Sequence, residues 1–128
     1  MSVANLQEKL LFFTSQKSRI GLQLSNIQMS QLSATRDSAT KQQEYNAQLQ
    51  ELYFNCYGTD EYSQQLLELQ NDHEFEMASL TAWESELEAQ KEQFETQLNE
   101  ITNYEASWQK LLQQNIKSEF TYGGASGK

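Results

Sequence analysis

The chain has 128 residues, a net charge of −9 and no proline, where average usage of about 5% would supply roughly six. With one valine, four isoleucines and only Gly21 and Gly58 as glycines ahead of the last six residues, a sandwich or barrel lacks both its strand formers and its turns. The acid excess disfavours nucleic acid as a partner, so an all-helical chain with one or two turns remains.

Helix 1 is predicted from about Val3 to Tyr57. Leu6, Leu10, Phe13, Ile20, Leu24 and Ile27 keep a 3/4 spacing, with Lys17 in one slot, and Tyr45, Leu49, Leu52 and Cys56 resume it. From Ser30 to Gln43 only Leu32, Ala34 and Ala39 are apolar, so the seam there is made of small side chains. Gly21, between Ile20 and Leu22, is read as a helix-interior residue costing about 1 kcal/mol against alanine. The run Leu10-Leu11-Phe12-Phe13 covers every side of a helix, and one partner helix cannot bury all of it. A contact in an oligomer is therefore expected at these four residues, joined by Trp108 and Phe120. Beside Lys9, Lys17 and Arg19 the segment also has the makings of a membrane-surface helix, the lesser expectation.

The turn is predicted at 58–60, within Tyr57-Gly58-Thr59-Asp60. Gly58 takes the left-handed conformation that closes a helix, and Thr59 or Asp60 caps the next. Helix 2 is expected from about Asp60 to Lys117, with residues 1–117 a single domain and 118–128 a flexible tail. Its signal is the strongest in the chain. Stepping by seven from Leu66 gives His73, Leu80, Leu87, Phe94, Ile101, Trp108 and Asn115, and a companion seam runs through Leu69, Met77, Trp83, Leu98, Tyr104, Leu111 and Leu112. A stripe repeating every 3.5 residues faces a partner helix continuously. The predicted fold is thus all-α, a long antiparallel two-helix coiled-coil hairpin that self-associates into a bundle.

A turn at Gly58 sets a register. Leu52 meets Leu66, Leu49 meets Leu69, Tyr45 meets His73, Leu24 meets Phe94, Ile20 meets Leu98, Phe13 meets Tyr104 and Leu10 meets Trp108. In the middle, small Ser33, Ala34 and Ser38 face large Leu80, Trp83 and Leu87, so either the bulky side chains fill the room left by the small ones or a groove remains, and Trp83 and Leu87 are the expected partner contacts there. Up to Gly58 the chain is nearly neutral, and the acid excess falls on helix 2, where Glu84, Glu88, Glu92 and Glu95 are relieved only by Lys91.

Chemistry has little to work with. One histidine and one cysteine leave no nucleophile and base to pair, and a two-helix layer has no cleft of its own. Asp72-His73-Glu74 with Glu76 is metal-like only on its surface, since di-iron bundles need a second Glu-x-x-His pair. No catalytic, cofactor or metal site is expected, and no small-molecule substrate. Cys56 reads as a small apolar residue rather than a reactive thiol. The longest unbroken apolar run, Leu10 to Phe13, is far short of the ~20 residues a spanning helix needs, and no secretory signal can be laid out. The chain is expected in the cytoplasm, or outside the cell by a signal-less route.

Two functions compete on these residues. The first is a non-enzymatic structural or assembly protein, its partners further copies of itself or another helical protein. The second follows from outline: small, signal-less, Gln/Ser-rich helical hairpins resemble the stalk and axial components of flagellar and type III secretion systems and the hairpin substrates of type VII secretion. That resemblance implies an adaptor, chaperone or substrate of a bacterial export apparatus. The turn reads Cys56-Tyr57-Gly58 where the type VII pattern has Trp-x-Gly, no Tyr-x-x-x-Asp/Glu follows helix 2, and the prolines of the type III needle turn are missing.

Overall fold

The computed structural model describes residues 2–126, and their side chains as far as Ser118. Two long helices, α1 (Val3–Cys56) and α2 (Tyr62–Ser126), account for nearly all of it and pack against each other. Packing divides the chain into a terminal unit, residues 1–26 with 91–128, and a turn unit, residues 27–90.

α1 starts on a cap. The Asn5 backbone N–H donates to Ser2 Oγ at 3.2 Å, which satisfies one of the four unpaired donors of the first turn, and the Leu6 N–H donates to the Ser2 carbonyl at 3.1 Å as the first bond of the helix. The helix then runs without interruption through Ser30 to Gln43, where apolar residues are scarce. Thr35 hydrogen-bonds the Gln31 carbonyl there, keeping its hydroxyl on the helix's own backbone.

α1 ends at Cys56, and Gly58 follows with φ +86°. A left-handed residue just past a helix turns the chain so that late N–H groups reach back to the free carbonyls. Here Thr59 N–H donates to the Cys56 carbonyl at 3.0 Å. The Thr59 hydroxyl donates to the same carbonyl at 2.6 Å, so this side chain closes α1, and the expectation that it caps α2 is corrected. What Thr59 gives α2 is its own carbonyl, which accepts from Tyr62 N–H at 3.3 Å.

α2 begins at Tyr62, two residues after the expected start, and its backbone continues to Ser126 rather than ending near Lys117. Ser118 to Tyr122 contain neither proline nor glycine, so nothing in the sequence stops the helix where its apolar stripe thins. The last two residues of the expected tail lie outside the described residues.

The core is thin. In the terminal unit Leu6 and Ile20 are buried, flanked on α1 by half-buried Val3, Leu10, Phe13, Lys17 and Leu24, and on α2 by Phe94, Leu98, Ile101, Glu105, Trp108 and Leu112. In the turn unit Ile27, Ala34 and Leu87 are buried, and Tyr45, Leu49, Leu52, Leu66, Leu69, His73, Met77 and Leu80 are half-buried. Ala34 is completely covered, so the small-residue stretch is filled at that point. Among the described residues no helix is long and apolar enough to cross a membrane.

Candidate interaction surfaces

The four-residue apolar cluster divides in two. Leu10 and Phe13 are half-buried, and the Phe13 ring lies 6.1 Å from Tyr104 and 6.4 Å from Trp108. Leu11 and Phe12 stay exposed, Leu11 at 70%, with Phe12 making an edge contact to Phe13 at 5.8 Å. A helix turns about 100° per residue, so neighbours on a four-residue run cannot share one face. Exposed Leu22 extends the open face: Leu11, Ser15, Ser18 and Leu22 recur at 4/3/4 spacing on the side of α1 away from Leu6, Phe13 and Ile20. Phe120, expected to join this cluster, lies outside the residues whose side chains are described.

The companion seam on α2 needs a correction in this unit. Tyr104 and Leu111 are exposed at 57% and 45%, although Tyr104 still touches Phe13. The inward slot belongs to Glu105, whose carboxylate sits 3.5 Å from Lys17 Nζ and 3.4 Å from the Thr14 hydroxyl. The 3/4 spacing from Ile101 to Trp108 passes through residue 105 as readily as 104, and apolarity alone chose the wrong one. The charge at Lys17, already anomalous in the seam, was the signal for a carboxylate opposite.

In the turn unit Leu87 is 6% exposed, so it is a core residue rather than the edge of an open groove. Trp83 is left partly exposed, and a polar depression in the same unit is lined by Gln31, Thr35, Thr81, Glu84, Ser85 and Glu88, with the Gln31 amide donating to Glu88 Oε2 at 3.0 Å. The large-against-small pairing is thus closed at Ala34 and Leu87, both buried, while Trp83 stays partly exposed beside exposed Glu84.

Tyr45 and His73, opposite each other in the register, stack with ring centroids 3.8 Å apart and planes 5° from parallel. Around them lie Glu44, Asp72 and Glu76, with Lys41 bridged to Glu44 at 3.5 Å. Among the described residues no three side chains of His, Cys, Asp or Glu come together in a metal-holding group. Cys56 is a free, half-buried thiol lining a shallow hollow with Leu52, Gln65 and Leu69.

A further surface feature lies at the turn. Tyr53, Phe54, Tyr57 and Tyr62 form a chain of ring contacts around the turn, Phe54 to Tyr53 at 5.9 Å, Tyr53 to Tyr57 at 4.7 Å and Tyr57 to Tyr62 at 5.6 Å. Phe54 is 82% exposed and Tyr57 65%. Most of these rings lie off the apolar seam and so carry no periodic signal; their sign in the sequence is four aromatics within ten residues. Compared with protein-family models, curated proteins and solved structures, the chain matches none.

Proposed function

We propose that this chain is a non-enzymatic structural or assembly protein, an antiparallel coiled-coil hairpin whose uncovered faces carry further copies of itself or another helical protein. The supporting observation is the open face Leu11-Ser15-Ser18-Leu22 of α1, two exposed leucines with two serines between them and no charge among the four. Such a face suits the close approach of a second helix, with leucines as knobs and serines leaving room for the partner's side chains. Among the described residues the buried apolar side chains are Leu6 and Ile20 in the terminal unit and Ile27, Ala34 and Leu87 in the turn unit, a small core for each, and association supplies further burial. The Lys17 and Glu105 pair fits a device that sets register, as polar seam residues do in coiled coils. Work of this kind suits the cytoplasm, or the outside of the cell reached by a signal-less route.

Light scattering over a concentration series, on the intact chain and on the Leu11→Ser/Leu22→Ser variant, tests the reading. A defined oligomer that the variant dissociates is expected. A monomer at every concentration overturns self-assembly and leaves the adaptor, chaperone or substrate of an export apparatus as the reading to pursue.

A further inference from the structure

We infer that the aromatic surface at the turn docks a cationic, amphipathic segment of another protein. Four rings linked in a chain of contacts, two of them more than half exposed, present an aromatic surface, and aromatic side chains lose little freedom on binding, which is why they dominate interface hot spots. Leu49 and Gln50 complete a shallow depression beside Tyr53, Phe54 and Tyr62.

Charge fixes what occupies it. From Gln42 to Gln90 the chain has eleven Asp and Glu and not one Lys or Arg, and Glu51, Asp60 and Glu61 stand next to the rings in sequence. This surface repels a second copy of itself, an anionic bilayer and nucleic acid alike. A segment with leucine-like side chains on one face and Arg or Lys beside them meets both features. Its apolar side chains cover the rings, and its cations lie over ring faces and against the carboxylates.

Binding is measured by tyrosine fluorescence and by isothermal titration with two probes of equal net charge, an amphipathic Leu/Arg peptide and oligolysine. The expected result is that the amphipathic peptide binds about tenfold tighter than oligolysine, and that Phe54→Ser/Tyr57→Ser removes the difference while the melting curve is kept. Asp60→Asn/Glu61→Gln should weaken both probes, with a shallower salt dependence. Equal affinity for the two probes, or an unchanged preference in Phe54→Ser/Tyr57→Ser, overturns the inference. So does light scattering in which that ring variant abolishes self-association, which would make a second copy the occupant.

Discussion

Gly58 and Gly21 are the same residue with opposite consequences. At Gly58, φ is +86° and an added Cβ meets nothing within 4 Å, so the cost of a side chain is conformational alone. Gly58→Ala should destabilise by about 1 kcal/mol, and Gly58→Asn by less, since asparagine tolerates the left-handed region. Gly21 lies inside α1 with equally open space, and there alanine restricts the unfolded chain without strain. Gly21→Ala should stabilise by about 1 kcal/mol. Urea unfolding followed by circular dichroism checks both, and a shared sign would refute the assignment of one glycine to a turn and the other to a helix. Ala34 makes the complementary case in the core. It is fully covered at a point where the neighbouring seam slots are Gln31 and Ser38, so Ala34→Leu should cost about 1–3 kcal/mol by overpacking, despite adding apolar surface.

At the scale of the helices, the lesson of Lys17 and Glu105 is that a seam is a position before it is a composition. Their side chains are 42% and 19% exposed, so the pair is neither free in water nor fully desolvated. Replacing both by leucine should raise the urea midpoint, because two partly buried charges give way to a packed apolar pair, while Lys17→Leu alone should lower it by leaving Glu105 unanswered. The same pair shows what was legible in the sequence. Helix type, the number of long helices and the turn at Gly58 followed from proline, glycine and the seven-residue period, which are local signals. The choice of 105 over 104 was not legible, since a 3/4 spacing admits two neighbouring residues and only packing selects between them. Nor was the length of α2. A helix stops where something stops it, and Ser118 to Tyr122 hold no such residue, so fading apolarity was the wrong guide. The rings at the turn escaped for a third reason: a surface defined by contact among Tyr53, Phe54, Tyr57 and Tyr62 has no periodic signature.

For the whole molecule the governing quantity is where the charge lies. Residues 27–90 hold twelve Asp and Glu against Arg36 and Lys41, while residues 1–26 and 91–128 together hold six against seven Lys and Arg. The acid excess that falls on α2 is therefore concentrated in its first half: the turn unit stands at net −10 and the terminal unit at +1. Few opposite charges are at hand to offset it: among the described residues of that unit the Lys41 to Glu44 bridge is its ion pair, and it is exposed. Like charges three or four residues apart on a helix cost a few tenths of a kcal/mol each at low salt, and Glu84 with Glu88, or Asp72 with Glu76, stand in that relation. Screening removes such a cost at distances beyond the Debye length, about 10 Å at 0.1 M salt, and weakens it within. Sodium chloride should therefore raise the melting temperature, the reverse of what a fold held by surface ion pairs would show. Glu84→Gln/Glu86→Gln/Glu88→Gln should melt higher than the parent in low salt and gain less as salt is added. The comparison is made by calorimetry at fixed pH and protein concentration, because an oligomer's melting temperature also moves with concentration. A melting temperature that falls with salt in the parent would mean that attraction, not repulsion, dominates the charge pattern of residues 27–90.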